Sequence, residues 1–224
     1  MGRGQINQKL SGSRISAPIC QIVWTLVMYR RWQTCFRQAE SEMTKDTPRY
    51  ILITGAAGSG TTTLADALAK ELNTTHLEAD DFLWLPGNPP YQQLADKTQR
   101  AERLLQQMHC HGRAVVAGSV MGWGQPLESE FDLVVFLYVP VELRLERLKR
   151  REVKRFGEAK PEFLAWAAQY DQGSVPGRSL ARHRQWLSGL ACTVLKLEGD
   201  ISVTDRLRHI RDAINGLNPA PSII

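Results

Sequence analysis

Paired cysteines are absent from this sequence of 224 residues. The four cysteines are scattered along the chain and show no short paired spacing: Cys20, Cys35, Cys110 and Cys192. This pattern excludes a disulfide framework and a zinc knuckle. Isolated cysteines are typical of a reducing compartment, and we therefore expect a cytoplasmic protein.

A hydrophobic run long enough to cross a bilayer is also lacking. Residues 17–29 are apolar-leaning, but a spanning helix needs about 20 apolar residues, and no small-residue cleavage site follows. Tryptophan and arginine within residues 17–37 would suit a helix lying at a membrane interface. We favour the alternative that residues 1–42 are loosely ordered or untranslated, with Met43 as the start. The expected organisation is a basic extension at 1–48, one domain at 49–217 and a flexible tail at 218–224.

The main domain has no net charge. The whole chain carries +5, and residues 1–49 account for all of it, with eight Lys or Arg against three Asp or Glu. Residues 50–224 hold twenty of each sign. An electrostatic footprint for nucleic acid is therefore missing from the domain, and we expect no nucleic-acid partner.

Five short apolar runs alternate with helical patterns, which predicts a three-layer α/β/α fold around a parallel sheet. Runs without polar alternation are typical of strands buried on both faces. The predicted strands are Tyr50–Thr54, Thr75–Ala79, Ala114–Ala117, Leu133–Val139 and Thr193–Leu197. The predicted helices are Thr62–Leu72, Leu94–His109, Val141–Arg151, Glu162–Tyr170, Ser179–Leu190 and Val203–Asn215.

A glycine-rich segment joins the first predicted strand to the first helix. It consists of Gly55, Ala56, Ala57, Gly58, Ser59, Gly60, Thr61, Thr62 and Thr63. Glycines allow backbone N–H groups to converge on an anion, and the helix N-terminus adds its dipole. The segment predicts a phosphate-binding loop in which the Thr62 hydroxyl meets Mg²⁺. The alternative is a tight turn that binds nothing.

The lysine that such a loop normally carries is absent, and Thr61 occupies its position. A charged hydrogen bond contributes about 1.5–3 kcal/mol, so the loss would cost one or two decades of nucleotide affinity. An arginine elsewhere in the chain would have to compensate.

Two aspartates follow the second predicted strand. Ligands of open parallel sheets sit outside the carboxyl ends of the strands, so Asp80 and Asp81 are expected to face the loop. Asp81, or alternatively Asp80, would accept a proton from an acceptor hydroxyl, and Asp80 could also hold Mg²⁺ through water. The alternative role is to cap the next turn. In the following segment, Phe82, Trp84 and Tyr91 would either stack on an acceptor or pin the loop to the core.

Basic residues crowd the helix after the fourth strand. Arg147, Arg151 and Arg155 lie four residues apart on one helical face, just before Phe156 and Gly157. A solvated basic face is the ordinary interpretation of such a run. We predict instead a lid, in which Arg147 and Arg151 stabilise the transferring phosphoryl group and Arg155 helps to bind the nucleotide.

The loop Gly55–Thr62, the Asp80-Asp81-Phe82 segment and the basic helix together resemble the P-loop kinases of the nucleoside and nucleoside-monophosphate kinase group, both adenylate kinase-like and uridine kinase-like. The resemblance covers about residues 49–217. It implies a five-stranded parallel sheet in the order 2-3-1-4-5 with a small helical lid. It also implies ATP and Mg²⁺ as cofactors, a small-molecule acceptor, and an aspartate serving the acceptor hydroxyl. The chain departs from the group at Thr61.

Two functions follow from these expectations. The first is ATP-dependent phosphoryl transfer to a small molecule, such as a nucleoside or nucleotide. The second is a weakly hydrolytic or non-catalytic nucleotide-binding module that has lost its lysine. The acceptor, the choice between ATP and GTP, and the oligomeric state are open at this point.

Overall fold

The computed structural model describes residues 47–85, 93–173 and 178–217. Residues 1–46 of the predicted N-terminal extension lie outside the described residues, including segment 17–37, which was considered for a membrane interface. The tail 218–224 and Tyr91 also lie outside them. Within the described ranges, no helix is both long and apolar enough to cross a membrane.

A five-stranded parallel sheet forms the centre of the fold, in the order β2-β3-β1-β4-β5. The strands are β1 (Tyr50–Gly55), β2 (Thr75–Glu78), β3 (Ala114–Ala117), β4 (Leu133–Tyr138) and β5 (Thr193–Glu198). In the register, Leu52 of β1 lies opposite Val116 of β3 and Val134 of β4. The predicted fold class and strand order are both confirmed.

Seven α-helices connect or follow the strands in the described residues. They are α1 (Thr61–Glu71), α2 (Asp80–Leu83), α3 (Lys97–His111), α4 (Val141–Phe156), α5 (Pro161–Ala168), α6 (Leu180–Ser188) and α7 (Val203–Leu217), with a 3-10 turn at Leu127–Ser129. Helix α3 begins later than the predicted Leu94 because the Asp96 carboxylate caps it, accepting from Thr98 N–H at 2.9 Å. The one-turn helix α2 was not predicted.

The two faces of the sheet bury separate apolar layers. Side chains alternate across a strand, so Tyr50 and Leu52 face one layer while Ile51 and Ile53 face the other. The first layer includes apolar residues of α3 and α6, and the second includes those of α1 and α7. Each fully buried Leu or Ile contributes about 1.5–3 kcal/mol to folding.

The prediction that every strand is buried on both faces is wrong for the two outer strands. All four residues of β2 are only half-buried, and β5 is mostly half-buried or exposed. Both lie at the edges of the sheet, where each strand has a neighbour on only one side. Leu77 of β2 packs against the first layer, whereas β5 reaches both layers, with Val194 at the first and Leu195 and Leu197 at the second.

Candidate active site

The loop between β1 and α1 is held in a conformation that glycine alone adopts easily. Gly58 and Gly60 have φ angles of 84° and 93°. A Cβ atom on Gly58 would lie 2.7 Å from the Arg144 carbonyl oxygen, and one on Gly55 would lie 2.5 Å from that of Leu137. Both the backbone angles and the close packing therefore require glycine in this loop.

Three backbone N–H groups at the start of α1 have no hydrogen-bond acceptor within the helix. The Leu64 N–H donates to Gly60 O at 3.0 Å and is the first helical hydrogen bond. The amides of Thr61, Thr62 and Thr63 come before it and have no acceptor within the helix. No side chain caps this end of α1. An anion held here would receive both these donors and the helix dipole.

Arg144, at the first turn of α4, ties the loop to the helix layer above it. The side chain is completely buried. Its Nη1 donates to Ala57 O and to Ala167 O, each at 3.3 Å, and its Nε donates to Val139 O at 3.0 Å. Its Nη2 forms an ion pair with Asp171. The guanidinium therefore fixes the first half of the loop against α5.

Arg206 of α7 supports the second half of the loop. Its Nη1 donates to Ser59 O at 3.0 Å and its Nη2 to Gly199 O at 3.4 Å. Only 3% of the residue is exposed. Two buried arginines from different helices thus hold neighbouring carbonyl groups of the loop.

Asp80 lies at the carboxyl end of β2, on the loop side of the sheet. Ala79 N–H donates to Ala117 O at 2.8 Å, and Gly118 N–H donates to Ile53 O at 3.0 Å. The ends of β2, β3 and β1 are therefore adjacent. With about 4.8 Å between strands, Asp80 follows a strand roughly 10 Å from the one that feeds the loop. That separation leaves room for a small molecule.

The electrostatic surroundings distinguish Asp80 from Asp81. Asp80 keeps exposed surface, yet the protein around its carboxyl group removes enough water to raise its pKa. The charges of Glu78 and Asp81 raise the pKa further, whereas Arg178 and Arg151 lower it. The carboxyl group of Asp80 therefore experiences both positive and negative charges from its surroundings. Asp81 is exposed on the first turn of α2.

The three arginines of the predicted lid are divided among different surroundings. Arg147 forms an ion pair with Asp200, in the loop before α7. Arg151 is close enough to influence Asp80 and also pairs with Glu152. Arg155 is exposed, with its guanidinium 5.6 Å from the Phe156 ring centroid. All three lie on α4, and Arg151 is the one whose charge influences the carboxyl group of Asp80.

A shallow recess, open to solvent, lies against the start of the loop. Its lining residues are Gly55, Ala56, Ala57, Trp166, Ala167, Tyr170 and Arg178. The wall facing the loop therefore consists of aromatic side chains from α5 and the turn after it, together with one arginine. The sequence had predicted arginines of α4 in this position.

Phe82, Gly118 and Ser119 serve the packing of the fold. Phe82 is buried in the apolar layer, so of its two predicted roles it has that of pinning the segment after β2 to the core. Gly118 and Ser119 follow β3 directly. A Cβ atom on Gly118 would lie 3.0 Å from the Ala79 Cβ, and Ser119 is buried. The glycine is thus explained by the contact between neighbouring strand ends.

A buried hydrogen-bonded chain links the recess to β1. The Tyr170 hydroxyl lies 2.7 Å from His183 Nδ1, and His183 Nε2 lies 3.4 Å from Thr54 Oγ1. A neutral imidazole can accept from Tyr170 and donate toward Thr54. Burial, assisted by the charge of Arg178, lowers the pKa of His183 to about 4. This placement gives His183 a structural role.

The buried His183 predicts a loss of stability in mild acid. Its folded pKa of about 4 lies below the unfolded value of about 6.5, so its contribution is complete above pH 6.5 and falls as the pH drops toward 4. Between pH 7 and pH 5 the free energy of unfolding should fall by about 2 kcal/mol from this group. Urea unfolding of the wild-type protein at pH 7 and pH 5 measures this decrease in the free energy of unfolding. The His183→Gln variant is expected to show a smaller decrease. Equal decreases in the two proteins would contradict the assignment.

Arg144 and Arg206 were not predicted to be site residues, although the sequence carried a signal for both. Arg206 falls within the apolar stripe of α7, three residues after Val203 and four before Ile210. Arg144 occupies the same kind of position on α4, four residues before the buried Leu148. A cation at an apolar helical position indicates a buried partner, which here is the loop backbone.

The residues of the loop fit a nucleotide with Mg²⁺. The free amides and the close-packed glycines suit a phosphate chain, and Thr62 is exposed at the first turn of α1. No group of three or more metal-ligating side chains occurs in the described ranges. Mg²⁺ is commonly held by one or two protein groups, phosphate oxygens and water, which the Thr62 hydroxyl and the phosphates could supply.

Comparison with known proteins places these features in a family. A family model described as an AAA domain matches residues 51–164. A Bacillus subtilis (strain 168) protein named YqaC is 39% identical over 177 residues, covering 75% of this chain and 98% of YqaC. A cytidylate kinase of Pyrococcus horikoshii is 29% identical over 112 residues, covering 46% of this chain and 57% of the kinase.

Solved structures share the fold at low identity. A shikimate kinase from Acinetobacter baumannii, in complex with shikimate, has a TM-score of 0.50 at 18% identity and covers 78% of this chain and 97% of its own. A gluconokinase from Sinorhizobium meliloti 1021 has a TM-score of 0.50 at 15% identity, with coverages of 77% and 95%. The chain has the fold of P-loop kinases, and it belongs to the AAA domain family together with YqaC.

Proposed function

We propose that this protein transfers the γ-phosphoryl group of Mg·ATP to a small-molecule acceptor. The observation that carries the proposal is the placement of Asp80 and the aromatic recess beside a loop with free amides. A kinase needs an acceptor site next to its phosphate site, whereas a pure nucleotide-binding module does not.

The nucleotide side of the site is formed by the loop and by α1. The amides of Gly58 and of Gly60 to Thr63 would hold the phosphates, whereas the Ser59 N–H already donates to Ala56 O at 3.1 Å. The Thr62 hydroxyl would ligate Mg²⁺. When bound, Mg²⁺ neutralises charge on the phosphate oxygens. Gly55, Ala56 and Ala57 form the side of the loop that borders the recess.

The acceptor side is formed by the recess and Asp80. Trp166 and Tyr170 offer apolar surface to the body of the acceptor, and Arg178 offers a fixed positive charge. Asp80 would orient the acceptor hydroxyl and take its proton as the new oxygen–phosphorus bond forms. The bond from the γ-phosphorus to the bridging oxygen then breaks, and ADP leaves. The raised pKa of Asp80 makes it a stronger base than an ordinary aspartate.

The arginines of α4 have separate proposed roles. Arg151, beside Asp80, would stabilise charge on the transferring group. Arg147 pairs with Asp200, and Arg155 lies exposed at the end of the helix, so both would act on the nucleotide only after moving.

A transfer assay tests the proposal. The full chain is incubated with γ-labelled ATP, Mg²⁺ and one acceptor at a time, beginning with cytidylate, shikimate and gluconate, the compounds suggested by the names of the similar kinases. Nucleosides and other small hydroxy compounds extend the panel. Transfer of label to one acceptor supports a kinase. Label released only as inorganic phosphate, whatever compound is added, would favour the alternative of a weak hydrolase.

A further inference from the structure

Arg206 contacts the loop close to Thr61, which occupies the position of the usual lysine. Its Nη1 contacts Ser59 O at 3.0 Å, two residues before Thr61. The position of a Cβ atom on Gly60 would lie 3.4 Å from the same Nη1. The guanidinium therefore lies behind the peptide group that joins Ser59 to Gly60.

This contact orients a phosphate-binding amide. In a trans peptide the C=O and the following N–H point in opposite directions, so a donor on Ser59 O turns the Gly60 N–H away from Arg206. Arg144 acts in the same way at Ala57 O, which turns the Gly58 N–H. A hydrogen bond to the carbonyl also polarises the peptide group and strengthens its N–H as a donor.

The two arginines differ in how their charge is balanced. Arg144 forms an ion pair with Asp171. No acidic residue in the described part of the chain forms an ion pair with Arg206, and its buried Nε has no hydrogen-bond partner there. Asp200 influences Arg206 but is paired with Arg147, and Arg147 itself adds a like charge nearby.

A buried cation without a counterion is unfavourable, and burial lowers the pKa of Arg206 accordingly. An anion bound on the far side of the loop would relieve this imbalance. The free amides of the loop already provide hydrogen-bond donors for such an anion.

We propose that Arg206 supplies, from behind the loop, the positive charge that a lysine at position 61 would provide, and that the loop is built for a polyphosphate chain. The inference rests on the nucleotide binding of the proposed function. Arg206 is a positioning residue here, since it acts on the ligand through the Ser59–Gly60 peptide and through its charge.

The test is a double-mutant cycle on Mg·ATP affinity, measured by calorimetry with the full chain. Arg206→Met is expected to weaken binding about 10- to 100-fold, the effect of losing one charged interaction. Thr61→Lys should improve binding only about threefold or less in the wild-type chain but restore most of the loss in the Arg206→Met chain. Rescue of Arg206→Met by Thr61→Lys would show that the new lysine replaces the lost positive charge. A purely structural defect in Arg206→Met would not be rescued in this way. Inorganic triphosphate, as a second probe, should follow the same pattern.

Arg208→Met is the matched control, because Arg208 is exposed on the same helix and pairs with Asp205. It should leave the affinity unchanged. If Arg206→Met fails to fold, the Mg·ATP affinity of the Thr61→Lys variant still tests the inference. A gain of ten-fold or more in the otherwise wild-type protein would show that the charge deficit was never compensated, and would overturn the inference.

The outcomes separate the two proposals. Wild-type binding that Arg206→Met leaves unchanged refutes the role of Arg206 and leaves the kinase proposal standing. A folded wild-type chain that binds neither Mg·ATP nor triphosphate refutes nucleotide binding itself, and the inference falls with it.

Discussion

Asp80→Asn is expected to lower phosphoryl transfer about 10²–10⁴-fold, the usual contribution of a general base. Asparagine keeps the size and polarity of the side chain but cannot accept the acceptor's proton. Because the pKa of Asp80 is raised by desolvation, the wild-type rate should fall with decreasing pH at a higher pH than an ordinary aspartate would give. The measurement is the transfer rate with whichever acceptor the panel identifies, across a pH series.

Two companion variants sharpen this experiment. Asp66→Asn changes an exposed carboxylate on α1 that pairs with Lys70, and it should leave transfer unchanged. Asp81→Asn should cost less than Asp80→Asn, because Asp80 is the carboxylate that its surroundings make a stronger base. A larger loss in the Asp81 variant would move the base to that residue. A shift in the Mg²⁺ requirement of Asp80→Asn would indicate that this carboxylate holds the metal.

Gly58→Ala is expected to destabilise the fold by about 2–5 kcal/mol. The backbone at Gly58 has a φ of 84°, which is strained for alanine, and the added Cβ would meet Arg144 O at 2.7 Å. Urea unfolding gives the free energy directly.

Gly157→Ala provides the matched comparison for this change. Gly157 also has a φ of 84°, but a Cβ there would have no neighbour within 4 Å. Its cost should be only the backbone strain, about 1–2 kcal/mol. The difference between the two variants therefore measures the packing of the loop against α4. Equal destabilisation would mean that Arg144 does not confine the loop.

The sequence predicted the sheet well because its strands are short, apolar and separated by strong helical patterns. Each predicted strand lies within about one residue of the observed one, and the strand order followed from the resemblance carried by the Gly55–Thr62 loop. The sequence patterns could not predict how exposed each strand is to solvent. An edge strand such as β5 and a central strand such as β4 both appear as apolar runs, and only the sheet order separates them.

The site was predictable where the chemistry is local. The loop is contiguous, and Asp80 follows a strand whose end had to face it. The supporting arginines are not local: Arg206 lies 147 residues from the Ser59 carbonyl it contacts. Seven arginines and lysines between residues 144 and 155 drew attention to α4, yet its deepest contribution to the loop is the buried Arg144.

The aromatic wall was missed for a related reason. Trp166 and Tyr170 were assigned to a helix but not to a site, because no local motif marks them. Arg144 links the same segment to the loop through Ala167 and Asp171. Sequence patterns can mark a buried arginine, as the apolar helical positions of Arg144 and Arg206 do, but they do not identify its distant partner.

Calorimetric titration of Mg·ATP into the full chain, with Thr62→Ala alongside, tests the central claim most directly. The account predicts that the wild-type chain binds, that Thr62→Ala binds at least about tenfold more weakly with Mg²⁺ present, and that the two proteins differ much less in EDTA. The hydroxyl of Thr62 is proposed to act through the metal, which is why the difference should depend on Mg²⁺. A folded wild-type chain that binds no nucleotide, or a Thr62→Ala chain that binds as tightly as wild type with Mg²⁺, would contradict the account.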